Sequence, residues 1–323
     1  MKKLLFVFNP HAGKGQIKNN LCDIINIFTK GGYEVTAYPT QAPRDGMNKI
    51  ISDGPRFDII VISGGDGTLS EAVKAMMTLG RKIPIGYIPA GSTNDFASSM
   101  DIPKKMSEAA KAIVEGVCFD YDIGEFNGEY YVYVAAFGAF ADVSYETSQI
   151  SKNRFGHMAY IAEGLKRLPT YTGYNITVEH DGGTVEGNFI LGMVSNSTSV
   201  GGMKRLIADG VAFDDGLFEV TLVKTPQGPL AFQSLLRDAA MNKITEKNFV
   251  TFKTSFLKVT STADIAWSLD GESGGSHNKV LIKNHKQAVS IIVRPDEKTA
   301  EQQLLNALAN DKGIELSFDD TEG

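Results

Sequence analysis

A carboxylate stands among three glycines in the stretch 58-DIIVISGGDGTLSEAV-73. The apolar run that opens it is typical of a buried strand, and Gly64, Gly65 and Gly67 follow directly. Glycines leave the backbone bare, so that its N–H groups can approach a polyanion such as a phosphate chain. Asp66 would repel that anion unless a cation lay between them. The stretch therefore predicts that Asp66 reaches Mg²⁺ carried by nucleotide phosphates.

The residues after Asp66 also have the pattern of a helix start. Thr68 can cap the following helix, and Glu71, three residues later, would complete a capping box. This simpler interpretation, a well-capped helix after a buried strand, accounts for Thr68 and Glu71. It requires neither Asp66 nor three glycines, so the motif favours a phosphate site.

Two further loops follow predicted strands. The loop 9-NPHAGKG-15 lacks both the spacing of a Walker A loop and the third glycine of a dinucleotide-binding fingerprint. A phosphate site at a helix N-terminus and a plain strand-to-helix turn explain it equally well. The loop 89-PAGSTNDF-96 offers bare backbone at Gly91 and hydroxyls at Ser92 and Thr93. Alone it is also explained as a capped turn, but two such loops on neighbouring strands favour a nucleotide triphosphate site.

The first third of the chain alternates strand and helix patterns. Strands are predicted at Leu4–Phe8, Tyr33–Tyr38, Asp58–Ile62 and Ile83–Ile88, and helices at 17–30, in a polar segment after Tyr38 and at Thr68–Thr78. Such alternation of nearly continuous apolar strands with helices is typical of a parallel sheet covered on both faces. Ligands of these sheets bind beyond the carboxyl ends of the strands. Because all three glycine-rich loops follow strands, we expect them to converge on one edge.

The pattern changes near residue 120. Asn127-Gly128, between two strand-like runs, predicts a hairpin within 120–137. Further strands are predicted at 174–180, 184–194, 217–223, 255–261, 263–269, 278–282 and 288–293, and helices near 156–168 and 229–241. Many short strands joined by turns are typical of an antiparallel sandwich or a large curled sheet.

We therefore predict a fold of two parts. Residues 1–120 would form an α/β nucleotide-binding domain, a parallel sheet with helices on both faces. Residues 121–294 would form an antiparallel β-sandwich-like domain for the substrate. A helical segment at 295–310 is expected to pack back on the first domain, and 311–323 to form an acidic tail.

Composition excludes some classes of function. A formal net charge of -6 and a pI of about 5.5 argue against a nucleic-acid partner. Cys22 and Cys118 have no metal-binding spacing and are expected to be buried, unpaired thiols.

The N-terminal apolar stretch is only about five residues, too short for a signal peptide. The longest apolar run, 130–141, is about a dozen residues, whereas a bilayer span needs roughly 20. We expect a cytoplasmic protein, peripheral to a membrane if it meets one.

The three loops, NPHAGKG, SGGDGTLSEAV and IPAGSTNDFA, in this order and spacing resemble the diacylglycerol kinase catalytic family. That family includes bacterial lipid kinases, sphingosine kinases and ceramide kinases, and the chain looks most similar to the soluble diacylglycerol kinases of Gram-positive bacteria. The resemblance continues through 120-DYDIGEFNG-128, 209-DGVAFDDGLFEV-220 and 268-SLDGES-273. GGDGT alone is shared with NAD kinases and phosphofructokinases, so the GSTNDFA and LDGE segments carry the distinction.

The resemblance implies an ATP site and a general base. The implied ATP contacts are Asn9, Pro10, His11, Ala12, Gly13, Thr40, Gly65, Asp66, Gly67, Thr68, Leu69, Ser70, Glu71 and Ser92. The implied base is Glu272, acting beside Asp66. Phosphoryl transfer to a hydroxyl needs a carboxylate to orient the nucleophile or take its proton, so the residue type agrees. The residues alone favour an ordinary Asp-Gly turn with a solvated Glu272.

The resemblance also implies a structural Mg²⁺ site. Its ligands would be the Asp215 side chain and the carbonyl oxygens of Ala212 and Leu217. Oxygen ligands suit Mg²⁺, but a β-turn before a strand explains the same residues equally well. Asp95 and Asp122 are expected to extend a hydrogen-bonded network of acids towards Asp66 and Glu272.

The implied activity is a Mg²⁺-dependent transfer of the ATP γ-phosphoryl group to the free hydroxyl of diacylglycerol, giving phosphatidic acid. Its lipid substrate would be met at a membrane surface, and a homodimer is compatible with the sequence. Three alternatives stay open: a kinase of ceramide, sphingosine or phosphatidylglycerol, an NAD kinase-like enzyme with a soluble acceptor, and a non-catalytic nucleotide-binding regulator.

Overall fold

The computed structural model describes residues 1–138, 173–197, 211–241 and 244–295. The helix predicted near 156–168 and the acidic tail at 311–323 lie outside these ranges, as does nearly all of the segment predicted to pack back on the first domain.

The N-terminal part is a parallel sheet with helices between its strands. Its strands are β1 (Lys2–Phe8), β2 (Tyr33–Pro39), β3 (Ile59–Gly64) and β4 (Ile85–Pro89), in the spatial order β4-β3-β1-β2. The helices are α1 (Ile17–Lys30), α2 (Asp45–Asp53) with a turn of 3₁₀ helix (Gly54–Arg56), α3 (Asp66–Leu79), α4 (Asp95–Ser99) and α5 (Met106–Glu115). α1 packs against α5 and α2 against α3. Right-handed crossovers place these two pairs on opposite faces of the sheet, so the predicted α/β architecture is confirmed.

The helix α5 was not predicted, although its sequence carries the pattern. Met106, Ala109, Ala110 and Ile113 are buried at helical spacing. Two of these four positions are alanines, which weaken the apolar signal of the stripe. The helix shields the sheet beside α1.

The C-terminal part is a mainly antiparallel sheet. Its strands are β5 (Val117–Phe126), β6 (Glu129–Tyr131), β7 (Val134–Gly138), β8 (Tyr174–His180), β9 (Gly183–Ser195), β10 (Phe218–Lys224), β11 (Phe249–Thr254), β12 (Phe256–Leu269) and β13 (Glu272–Val293), with α6 (Pro229–Ala240) between β10 and β11. The hairpin predicted at Asn127-Gly128 is present, and the strands predicted at 174–180 and 184–194 pair as a second hairpin. β7 and β8 each pair with both β9 and β12, which is the arrangement of a curled sheet. The predicted antiparallel, sandwich-like class is confirmed.

Two strands are longer than predicted, and β11 was not predicted. Thr262 and the polar residues at 283–287 separate pairs of predicted strands, yet β12 and β13 run through them. The register shifts between Thr260 and Ile265 and between His285 and Val289. A local irregularity, rather than a chain reversal, absorbs the polar residues, and a pattern-based prediction reads such residues as turns.

The strand β13 joins the two parts. Its last residues pair antiparallel with β5, and Ile291 pairs in parallel register with Ile85 of β4. Within the described ranges, the result is one continuous 13-stranded sheet. The predicted domain boundary at residue 120 falls inside β5 and stays a prediction. Two apolar cores form, one centred on the parallel sheet and one around Trp267.

The prediction that both cysteines are buried is wrong. Cys22 and Cys118 are free and exposed. The buried stripe of α1 is formed by Ile17, Ile24 and Phe28, and Cys22 lies off it. Among the residues that the structure describes, no helix is both long and apolar enough to cross a membrane.

Candidate active site

The loops after β1, β3 and β4 meet at the carboxyl edge of the parallel sheet, as predicted. The backbone of Gly91 approaches that of Gly65 so closely that a Cβ added at Gly91 would lie 2.6 Å from the Cα of Gly65. Gly13 has a φ of +56° and faces the carbonyl oxygen of Ala90, with which an added Cβ would collide. Glycine is needed at these positions because the loops pack backbone against backbone.

The glycines of the GGDGT motif have separate neighbours. Gly64 lies under the side chain of Thr68, and Gly65 lies against Gly91. Gly67 faces Glu272, whose Oε1 lies 3.3 Å from the place where a Cβ at Gly67 would be. Gly67 is therefore the glycine that opens towards the predicted base.

The predicted capping box is absent. Helix α3 begins two residues earlier than expected, with Gly65 as its N-cap and no side-chain cap hydrogen bond. Thr68 thus lies inside the helix, too late to serve as its N-cap. Glu71 accepts a hydrogen bond from the backbone N–H of Arg44 instead, at 2.8 Å. Glu71 therefore joins α3 to the start of α2.

Asp66 lies in the first turn of α3 and points towards α4. Its carboxylate accepts hydrogen bonds from the backbone N–H groups of Asp95, at 3.3 Å, and Phe96, at 3.4 Å. Asn94 shapes this turn with a φ of 53°, and its side-chain oxygen accepts from the N–H of Gly91 at 2.9 Å. Burial, and next the charge of Asp95, raise the pKa of Asp66 to about 6, although the two N–H groups act in the opposite direction.

Glu272 and Asp270 lie in the turn between β12 and β13. Glu272 is exposed and begins β13. Asp270 is buried, and its carboxylate accepts hydrogen bonds from the N–H groups of Val132, Tyr133 and Val134, at 2.7, 3.0 and 3.2 Å. The sequence interpretation gave Asp270 no role. An Asp-Gly pair at a strand end reads as a turn, and nothing in the sequence placed the segment at 132–134 beside it.

The remaining predicted ATP contacts divide into two groups. Asn9, Pro10, His11 and Ala12 form the loop after β1, in which the Asn9 side chain accepts from the N–H of His11 at 2.9 Å. Ser92 is exposed in the loop after β4. By contrast, the side chain of Leu69 lies in the core.

Two residues of that set lie together at the end of β2. The side chains of Thr40 and Glu71 both border Gly46, 3.3 and 3.7 Å from the place of an added Cβ. Ser70 is buried and donates to Asp270 at 3.3 Å. The side chains of Thr40, Ser70 and Glu71, all predicted to contact ATP, thus contact other residues of the protein in this structure.

The turn at 212–217 has partners of its own. Oδ1 of Asp215 accepts from the N–H of Leu217 at 2.9 Å, and its Oδ2 lies 3.7 Å from the ammonium of Lys253. Asp122 is buried, and it accepts from the N–H groups of Gly216 and Gln287, each at 2.6 Å. Burial raises the pKa of Asp122 despite these bonds. Asp122 therefore binds this turn and the irregular part of β13, rather than Asp66 or Glu272.

No group of three or more histidine, cysteine, aspartate or glutamate residues within the described ranges has the arrangement of a metal centre. A site with a single carboxylate, such as the one implied at 212–217, would have carbonyl oxygens as its other ligands.

Known proteins resemble both parts of the chain. Residues 3–126 match the family model of the diacylglycerol kinase catalytic domain, and residues 133–293 match that of the YegS C-terminal NAD kinase beta sandwich-like domain. The chain is 30% identical to a diacylglycerol kinase of Bacillus subtilis (strain 168), over 94% of this chain and 99% of that protein. It is also 30% identical to a diacylglycerol kinase of Staphylococcus aureus (strain Newman), over 97% of this chain and 99% of that protein.

A solved structure shares the fold. A putative diacylglycerol kinase from Bacillus anthracis str. Sterne matches with a TM-score of 0.79 at 23% identity, over 91% of this chain and 96% of that one. The match includes both the parallel and the antiparallel part of the sheet.

Proposed function

The chain belongs to the diacylglycerol kinase family, and on that basis we propose that it transfers the γ-phosphoryl group of ATP to the free hydroxyl of diacylglycerol, giving phosphatidic acid. The observation that carries this proposal is the approach of Glu272 to Gly67 in the first turn of α3. A carboxylate that can take a hydroxyl proton thus lies beside a helix start that can bind phosphate.

ATP would lie along the carboxyl edge of the parallel sheet. The loop after β1, the first turn of α3 and Ser92 would contact it, with Thr40 at the end of β2. Leu69 would contribute through its backbone, because its side chain is buried in the core. The close approach of Gly65 to Gly91 fixes the relative position of two of these loops.

Mg²⁺ would be held at Asp66. The surroundings of this carboxylate fit a cation, because burial and the charge of Asp95 raise its pKa to about 6 and a bound cation would relieve both effects. Mg²⁺ would supply charge neutralisation on the phosphates. The two N–H groups at the start of α4 hold Asp66 in its orientation.

Glu272 would act as the general base. It would orient the lipid hydroxyl and accept its proton during in-line attack on the γ-phosphorus. Its exposure leaves it accessible to a substrate that arrives from outside the protein.

A structural Mg²⁺ at Ala212, Asp215 and Leu217 is a second, separate part of the proposal. Its support is the resemblance together with the donor set of one carboxylate and two carbonyl oxygens. Protein groups also stabilise this turn, because the N–H of Gly216 donates to the Asp122 carboxylate and the N–H of Leu217 donates to the Asp215 carboxylate. We expect added Mg²⁺ to raise the melting temperature of the protein, and Asp215→Asn to remove that rise.

We further propose that the protein works as a peripheral protein at the inner face of the cytoplasmic membrane. Diacylglycerol resides in bilayers, and ATP is available on the cytoplasmic side. A homodimer is part of the same proposal, and light scattering of the purified protein would test it.

A phosphorylation screen tests the proposed reaction. Labelled ATP would be offered with diacylglycerol, ceramide, sphingosine, phosphatidylglycerol or undecaprenol in mixed micelles, and with NAD as a soluble acceptor. We expect a labelled product with diacylglycerol that depends on Mg²⁺. Transfer only to a different acceptor would show that this acceptor, and not diacylglycerol, is the substrate. ATP binding without transfer to any acceptor would favour a nucleotide-binding regulator.

A further inference from the structure

Asp270 fastens the β12–β13 turn through both its side chain and its backbone. Its carboxylate accepts three backbone hydrogen bonds from the segment at 132–134, which connects β6 to β7. Its own N–H donates to the carbonyl oxygen of Val134 at 2.9 Å, and its carbonyl oxygen accepts from the hydroxyl of Tyr133 at 3.2 Å. The residue is buried and has a φ of 51°, so these bonds hold a turn conformation that aspartate adopts infrequently.

The same carboxylate reaches across to the nucleotide-binding part of the molecule. Its Oδ2 accepts a hydrogen bond from the hydroxyl of Ser70 in α3, at 3.3 Å. Two residues further along the chain, Glu272 faces Gly67 in the first turn of that helix. The turn is therefore joined to α3 at Ser70, one helical turn from the place where Glu272 meets it.

An ordinary turn on the surface does not need this many hydrogen bonds to other segments. Asp-Gly turns form readily without a buried carboxylate, and burial of a charged group costs free energy unless it is hydrogen-bonded. Burial raises the pKa of Asp270, while the N–H groups of Tyr133, Val132 and Val134, and then the charge of Lys74, lower it. The arrangement is explained if the position of the turn relative to α3 matters to the reaction.

We propose that Asp270 is a positioning residue, which sets the place of Glu272 against the first turn of α3 by anchoring the β12–β13 turn to the backbone at 132–134 and to Ser70. This inference rests on the proposed function, because it assumes that Glu272 takes part in phosphoryl transfer. Asp270 itself touches neither the nucleotide nor the acceptor in this scheme.

A double-mutant cycle tests the inference. In Asp270→Asn, an NH₂ group replaces one of the two carboxylate oxygens. An NH₂ group accepts no hydrogen bond, so the protein donors that bonded to that oxygen lose their partner. A misplaced catalytic group costs on the order of 10–100-fold in rate, so we expect kcat to fall by about that factor with the KM for ATP unchanged. In the Glu272→Gln background the same substitution should have no further effect, because residues that act as a unit are not additive.

An equal loss of kcat from Asp270→Asn in both backgrounds would overturn the inference, as would a normal kcat in the single variant. If Asp270→Asn does not fold, the same cycle with Ser70→Ala decides. Ser70→Ala should lower kcat at saturating ATP in the wild-type background only, and an equal loss in both backgrounds would again overturn the inference.

Asp238→Asn is the matched control for a structural effect. Asp238 is also a buried carboxylate, which accepts hydrogen bonds from Thr245 and Asn248 at 2.7 Å each. Its substitution should lower the melting temperature while leaving kcat within about twofold, since Thr245 and Asn248 belong to no proposed site. A wild-type protein that phosphorylates no diacylglycerol would refute the proposed function, whereas an active wild type with an unaffected Asp270→Asn would refute only this inference.

Discussion

At the scale of single residues, the carboxylates of the site are held in different environments. Asp66 is half-buried beside Asp95, and the hydrogen bonds that its carboxylate accepts from described residues are two long ones, at 3.3 and 3.4 Å. Glu272 is exposed. A group whose charge is unfavourable in the folded protein suits a cation, and an accessible carboxylate suits proton transfer to an incoming substrate. Their environments thus support separate roles for two acids at one site.

Asp66→Asn should stabilise the fold at pH 7 in the absence of nucleotide and Mg²⁺. The folded-state pKa of about 6 lies above the ordinary value of 3.8, so the stability that Asp66 contributes is present below pH 4 and is lost as the pH rises through 6. Asparagine avoids that loss, and we expect a gain on the order of 1–3 kcal/mol in the free energy of unfolding at pH 7. The gain should shrink at pH 4–5, where aspartate also is neutral or nearly so. Urea unfolding at both pH values measures it.

A variant that is less stable at pH 7, or that differs from wild type equally at both pH values, would show that burial does not raise the pKa of Asp66. The same variant should lose Mg²⁺-dependent kinase activity, and unchanged activity across a Mg²⁺ titration would contradict the role of Asp66.

Glu272→Gln should abolish most of the transfer and spare nucleotide binding. General-base catalysis contributes typically about 10²–10⁴-fold, and glutamine cannot take the proton. We expect kcat to fall by about that factor, while ATP affinity stays within about twofold because the proposed role of the carboxylate is in the transfer step and not in nucleotide binding. Glu129→Gln serves as the control, since Glu129 is an exposed glutamate at the start of β6. Retention of most activity by Glu272→Gln would assign the base elsewhere.

At the scale of elements, the site depends on how closely the loops after three parallel strands approach each other. The N–H of Ala90 donates to the carbonyl oxygen of Gly64 at 2.8 Å, and that of Asn9 to Ser63 at 2.9 Å, so the ladder continues into the loops. Beyond these bonds, Gly65 packs on Gly91 and Gly13 packs on Ala90. The shape of the proposed nucleotide site is therefore set by backbone contacts between neighbouring loops.

Gly13→Ala and Gly80→Ala separate this packing from simple backbone strain. Both glycines have nearly the same left-handed φ, +56° and +59°, but no atom of the described residues lies within 4 Å of a Cβ added at Gly80. Each alanine should cost about 1–2 kcal/mol in unfolding free energy through its φ alone. Only Gly13→Ala should also displace the loop after β4, and we expect its KM for ATP to rise at least about tenfold. Equal KM values for the two variants in a kinase assay would show that the contact between Gly13 and Ala90 does not shape the site.

The sequence predicted most of the elements whose apolar residues follow a regular period, although it missed α5, and it divided the strands that polar residues interrupt. The strands β1, β3 and β4 and the loops after them were predicted because each apolar run ends at a glycine-rich turn, and β2 was predicted because its residues alternate. The single long strands β12 and β13 were divided, since the polar residues within them resemble turns. Asp270 could not be found, because its partners at 132–134 are more than 130 residues away along the chain. Glu272 was identified by resemblance, and no local pattern predicted its approach to Gly67.

At the scale of the whole molecule, β13 makes the two parts of the fold one sheet. The strand begins at Glu272 in the site and ends between β4 and β5. The core of the parallel sheet also includes residues of the C-terminal part, among them Tyr133, Leu191 and Phe249. Shared strands and a shared core couple the parts energetically. The proposed catalytic groups, which come from both parts, can therefore keep their relative positions.

This coupling predicts that both parts unfold in one transition. Trp267 is the only tryptophan of the chain and is buried in the second core, so its fluorescence reports on the C-terminal part. Ile60 is fully buried in β3, and Ile60→Ala should cost about 2–5 kcal/mol of stability. We expect the Trp267 transition in urea to move to lower concentration by the same amount as the helical circular dichroism signal. Val259→Ala, in the second core, should shift both signals in the same way. If Ile60→Ala left the Trp267 transition unchanged, the two parts would unfold independently. The strand β13 would then connect them without coupling their stabilities.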